Sequence, residues 1–129
     1  MDKKDYYKYM FLTGAIWNIV LGIISILSPL FMMGSFTTFG IEEPPSLMFY
    51  HLFFGIALVY GIGFYLVSTN LDQNHGIVLL GVIGKLWVFF TFGYYFLIGE
   101  VNLLGVAFSA GDLIYAVLFI EFLLNYKKL

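Results

Sequence analysis

Charged positions are sparse along this chain, and their spacing divides it. No charged residue falls between positions 9 and 41, and none between 44 and 71. About 20 apolar residues, rising 1.5 Å each, cross about 30 Å of hydrocarbon. Each stretch therefore holds one helical span, over about 9–28 and about 47–68. The second half is interrupted. Lys85 cuts the run after Asp72, and Asp112 cuts the run after Glu100. The fragments 73–84, 86–99, 101–111 and 113–120 are each too short to cross alone. Long apolar stretches flank both charges, so the pattern places Lys85 and Asp112 inside two further spans, over about 76–98 and 101–124. A central Lys or Asp costs about 2.5–3.5 kcal/mol to insert, and each Leu, Ile, Phe or Val returns roughly 0.3–0.6 kcal/mol. Each span has enough of these residues to offset one charge. The expectation is an all-α integral membrane four-helix bundle, a single membrane domain over residues 1–129.

Composition narrows the class further. The chain is 61% hydrophobic and only 11% charged, against about 25% charged in ordinary soluble domains, which excludes a soluble fold. There is no Arg, and six Lys against eight Asp and Glu leave a net charge of −2. Nucleic acid, which needs a basic patch, is excluded as a partner; the lipid bilayer is the partner implied. The absence of Cys removes disulfides, thiolate metal sites, iron–sulfur clusters and cysteine nucleophiles. Lys3, Lys4 and Lys8 precede the first span, and Lys127 and Lys128 follow the fourth, whereas the intervening loops carry Glu42, Glu43 and Glu100. The positive-inside rule then puts both termini in the cytoplasm. Tyr6, Tyr7, Tyr9 and Tyr126 fit an interfacial aromatic belt. The first span exceeds the 7–15 residues of a signal-peptide core and no A-x-A-like site follows it, so it reads as a retained anchor.

Between the spans, the one long loop is 34–46, ending in Glu42-Glu43-Pro44-Pro45-Ser46. The Pro pair stops any helix, and Ser46 is placed to cap the second span. Residues 71–75 form a short cytoplasmic turn, and the turn at Gly99-Glu100 makes the third and fourth spans antiparallel neighbours. At an offset of 50, Gly55, Ala57, Gly61 and Tyr65 recur as Gly105, Ala107, Gly111 and Tyr115. Gly14-x-x-Trp17 recurs more faintly as Gly84-x-x-Trp87. The echo fits either a parallel repeat or coincidence among common small residues. Ala57-x-x-x-Gly61 and Ala107-x-x-x-Gly111 both suit close helix packing.

Three polar residues share one depth. Asn18 lies about nine residues, roughly 14 Å, from the cytoplasmic end of its span. Lys85 lies about nine residues in from the same side, and Asp112 about eleven from the other. Gly14, Asn18, Gly22 and Ser25 follow one helix face, as do Gly105, Ser109, Asp112 and Ala116; Gly81 lies one turn from Lys85. Charges deep in a bilayer face the bundle interior and pair. An ion pair of Lys85 with Asp112, supported by Asn18, is expected, either as structural glue fixing helix register or as a ligand or proton site. His51, with Glu100 on the same outer side near Glu42 and Glu43, is a second candidate site, for a metal or for pH sensing. One His with loop carboxylates is a poor metal signature, and a hydrogen-bonded interfacial His is the alternative, so no metal is assigned. His75 lies on the opposite side from His51, which excludes bis-His haem, and no cofactor is expected. No Ser, His and acid share a depth, which disfavours nucleophilic hydrolysis. Glu121 is within reach of headgroups or Lys8. The 15 Phe and 10 Tyr suit lipid-facing and core positions, or the walls of a pocket for a flat apolar ligand.

The stretch from Gly55-x-Ala57-x-Val59-Tyr60-Gly61 to Tyr65, the run His75-Gly76 to Gly84-Lys85, and Gly111-Asp112-Leu113-Ile114-Tyr115 resemble a group of small bacterial four-helix membrane proteins of unknown function. Trp17-Asn18-x-x-x-Gly22 and Ser28-Pro29-Leu30 resemble their first helix. That group is similar to the DoxX-like superfamily, some members of which are linked to quinone-dependent redox complexes. The resemblance implies a bacterial inner (cytoplasmic) membrane location and assigns no catalytic residue; the missing Cys argues against thiol redox chemistry. The leading expectation is a non-enzymatic protein whose polar midplane site binds a small amphiphile, or an accessory subunit of a membrane complex, alone or as a homo-oligomer. The alternatives are a quinone- or lipid-linked redox subunit or enzyme, and a small proton-coupled transporter.

Overall fold

Each of the four long apolar runs forms a helix, and the breaks fall where Pro, Gly, Asn and Asp interrupt the apolar pattern. The computed structural model describes residues 1–31 and 36–129. Its elements are α1 (Lys3–Phe31), α2 (Met48–Thr69), α3 (His75–Leu97) and α4 (Leu103–Asn125), with 3₁₀ turns at Thr37–Phe39 and Tyr126–Lys128. All four helices are long and apolar enough to cross a membrane. No strand occurs among the described residues. Positions 34 and 35 of the expected long loop lie outside the described residues.

The helix ends differ from expectation for local reasons. α1 starts at Lys3 rather than near Tyr9, because the Asp2 carboxylate accepts the Asp5 N–H at 2.8 Å and satisfies one of the unpaired amides of the first turn. It also continues through Pro29 to Phe31. Proline has no N–H to give the carbonyl four residues back, here that of Ser25. The Tyr50 hydroxyl from α2 donates to that carbonyl at 2.5 Å, so the residue that breaks the ladder also creates a tie between two helices. Ser46 is not the cap of α2. Leu47 occupies that position without a side-chain bond, and Ser46 Oγ accepts from Met48 N one residue further out. α4 begins at Leu103 rather than 101, because Asn102 caps it by accepting the Gly105 N–H at 3.1 Å.

Helix α1 packs closely along α2, and α3 along α4. The two hairpins join unevenly. α2 meets α3 where Phe64 lies over Gly81 and Ile77 over Gly63, with no room for a methyl at either glycine. α1 meets α4 through rings: Phe11 stacks on Phe119 at 4.9 Å, Tyr7 meets Phe122 at 5.1 Å, and Trp17 lies against Gly111. The buried core, which includes Tyr7, Phe11, Phe64, Val67, Val78 and Phe119, gathers at the end that carries both termini and their lysines. The bundle is closed there and splayed at the other end. Tyr7 is therefore 1% exposed and not part of an aromatic belt, whereas Tyr6 and Tyr9 are exposed.

The packing does not repeat with the sequence echo. Gly61 and Gly111 both receive α1, at Asn18–Ile19 and at Trp17, whereas a parallel repeat would set Gly111 against α3. Gly14 is packed by Tyr115 and Phe119, while its counterpart Gly84 has open space at its Cβ. Ala107 is exposed rather than packed.

Candidate functional site

The three polar residues at mid-depth meet. Lys85 Nζ donates to Asp112 Oδ1 at 2.7 Å and to Asn18 Oδ1 at 2.9 Å. Asn18 Nδ2 in turn donates to the Ala57 carbonyl at 2.9 Å. One chain of hydrogen bonds thus runs α4–α3–α1–α2 and ties every helix of the bundle. Its geometry depends on Gly61, where a Cβ would stand 2.7 Å from Ile19 Cγ1 and 3.0 Å from Asn18 Cβ. The bare glycine lets α1 approach until Asn18 reaches a carbonyl on α2. That carbonyl has a second lone pair available beyond its place in the helix ladder.

Lys85 is 5% exposed and Asp112 17%. The ammonium also sits 5.4 Å from the centroid of Phe64 and 5.5 Å from that of Tyr115, within the roughly 6 Å over which a ring face attracts a cation. Asp112 accepts through Oδ1 only; no donor among the described residues meets Oδ2.

Above this cluster the splayed end leaves a cavity of about 210 Å³. Asn18, Lys85 and Asp112 form its polar floor, and Trp17, Phe54, Tyr60, Phe64, Phe92 and Phe108 are among its walls. At its rim Phe53 and Ile56 of α2 and Gly84 and Trp87 of α3 are exposed, so it opens sideways between these two helices. Over the end of the bundle, the turn at Thr37–Phe39 is strapped to α4. Asn102 Nδ2 donates to Thr38 O at 2.9 Å, Asn102 N donates to Phe39 O at 2.8 Å, and the Phe39 ring packs on Phe108 at 5.5 Å.

The second candidate set shows no direct contact among the described residues. His51 is exposed in the first turn of α2 with its ring 5.7 Å from Tyr50, and Glu100 is exposed in the turn between α3 and α4. No hydrogen bond or ion pair joins them among the described residues, where no group of three or more His, Asp or Glu stands at metal-binding distance either. Glu121 accepts from the Tyr7 hydroxyl at 2.7 Å rather than pairing with Lys8. His75 lies against Tyr126 at 3.9 Å between ring centroids, with Nε2 2.7 Å from the Leu71 carbonyl.

No family model matches the chain, and the comparisons with curated proteins and with solved structures found no match.

Two parts of the site have no side-chain signature in the sequence. The Ala57 carbonyl is a backbone group, signalled only by the Ala57-x-x-x-Gly61 spacing. The cavity arises from where the helices diverge, which no single helix encodes.

Proposed function

We propose that this chain is a multi-pass protein of the bacterial inner membrane, with both termini in the cytoplasm, that binds a small amphiphile entering sideways from the bilayer. One observation carries the proposal: an apolar cavity, open laterally between α2 and α3, ends on a cluster of buried Lys85 with partly buried Asn18 and Asp112. Ligand sites are concave and mostly apolar, with a few convergent polar groups that orient the ligand. Pockets that enclose a whole drug-sized ligand hold roughly 300–1,000 Å³, so the 210 Å³ here suits a polar head and the start of a tail. The remainder would lie between α2 and α3 against lipid. Lysines at the terminal end and Glu42, Glu43 and Glu100 elsewhere support the orientation. Kinship with the DoxX-like proteins belongs to the same proposal and is carried by Gly84-Lys85 and Gly111-Asp112.

Gly84 provides the test. Its Cβ position is open space at the cavity rim, so Gly84→Leu starts a side chain in free space at the mouth, where it should obstruct entry, and gains helix propensity of somewhat under 1 kcal/mol. Native mass spectrometry from lipid nanodiscs should find an amphiphile bound to the wild-type protein. In Gly84→Leu its occupancy should fall about tenfold or more, a loss of at least 1.4 kcal/mol in binding, with thermal stability retained. An empty wild-type protein, or equal occupancy in the variant, overturns the proposal.

A further inference from the structure

The hydrogen-bond inventory of the cavity floor specifies a head group. This step rests on the lateral amphiphile site proposed above and concerns what that site accepts. Of the three N–H groups of Lys85, two are used by Asn18 and Asp112. The Asn18 carboxamide donates one N–H to the Ala57 carbonyl and accepts from Lys85 through its oxygen. On the ion pair itself, two groups meet no hydrogen-bond partner among the described residues: one N–H of Lys85 and the acceptor Oδ2 of Asp112. An incoming head must accept from the first and donate to the second. A carboxylate only accepts, an alkylammonium only donates, and an ester or ketone carbonyl leaves Asp112 Oδ2 unmet. A hydroxyl does both.

Charge leads to the same class. Lys85 and Asp112 sum to zero, and the walls above them are mainly aromatic and aliphatic. A charged head would leave a net charge where burial strongly disfavours one. A neutral head adds none. We infer that the cavity between α2 and α3 binds a neutral, hydroxyl-headed lipid, its oxygen bridging Lys85 Nζ and Asp112 Oδ2, and selects against anionic and cationic amphiphiles of the same chain length.

The protein carries its own reporters. Trp17 and Trp87 are the two tryptophans of the chain, and both line the cavity. Bromine quenches indole fluorescence at contact, so a dibrominated octadecyl alcohol, the corresponding acid and the corresponding amine can be titrated into phosphatidylcholine vesicles holding the full chain. At about pH 9 the acid is ionised and the amine protonated. Trp87 is 73% exposed at the rim and also senses bulk lipid, so Gly84→Leu in the same vesicles supplies the blank. The saturable part of the quenching should reach half-maximum at a mole fraction about tenfold lower for the alcohol than for the acid or the amine, and should vanish in Gly84→Leu. Acid or amine binding as well as the alcohol overturns the hydroxyl head and leaves the lateral site standing. No saturable quenching by any of the three overturns both.

Discussion

Lys85 is the one charged residue of α3, and its position is set by partners on two other helices. Removing either member of a buried pair leaves the other without compensation, at a cost of about 3–5 kcal/mol, whereas replacing both with apolar groups is often close to neutral. Lys85→Met and Asp112→Leu should each lower the thermal unfolding temperature in nanodiscs, and the double substitution should recover at least half of that loss. Asn18→Ala removes two hydrogen bonds, each of roughly 0.6 kcal/mol inside a membrane, and should cost less than either single change. Additive losses in the double variant would contradict the observed pairing. The alignment of Asn18, Lys85 and Asp112 was legible because helical rise converts sequence position into depth on antiparallel helices. Depth is only one coordinate. His51 and Glu100 share an outer position on the same basis, but no hydrogen bond or ion pair joins them among the described residues, since neither position in the sequence says where around the bundle a residue stands.

At the level of elements, charge-free runs marked the helices, but caps set their ends. Asp2 and Asn102 each shift a terminus by accepting a first-turn amide, and neither belongs to an apolar pattern. Pro29 reads in sequence as a stop. In the structure it is absorbed in the last turn of α1, because Tyr50 from another helix takes the carbonyl it frees. Glycines divide in the same way into those that admit a neighbour and those that do not. At Gly61 a methyl meets Ile19 N at 3.1 Å as well as side chains, and a backbone atom cannot swing aside. Gly61→Ala should therefore force α1 from α2, loosen the bond from Asn18 to Ala57, and cost about 1–3 kcal/mol by overpacking. Gly55 has open space, so Gly55→Ala should be neutral or stabilising by about 0.5–1 kcal/mol. Thermal unfolding of the two variants side by side checks the contrast; equal effects would contradict the close approach at Gly61.

For the whole molecule, the consequence of four antiparallel helices in a bilayer is that both termini and the 70–74 turn share one face. Reporter fusions at Asn70 and Leu129 should both score cytoplasmic, and a fusion within 36–43 should score external. Asn70 and Leu129 on opposite faces would contradict the four-span arrangement and the lateral site with it, whereas both external would reverse the orientation alone. The number of helices and their order could be read from charge spacing, but the unequal closure of the two ends could not. It depends on Phe64 filling the space over Gly81 and on the ring stacks of Tyr7, Phe11, Phe119 and Phe122, contacts between residues far apart in the chain. The ion pair also bears on how such a chain would enter a membrane. Lys85 and Asp112 belong to consecutive helices joined by only a short turn at 98–102. Threaded singly, each helix would bring a bare charge into hydrocarbon, at about 2.5–3.5 kcal/mol on insertion scales. Delivered together as a folded hairpin, they bring a neutral unit whose charges are already matched. Entry of the second half as a two-helix unit would then be favoured over helix-by-helix threading, with α3 held until α4 has been synthesised.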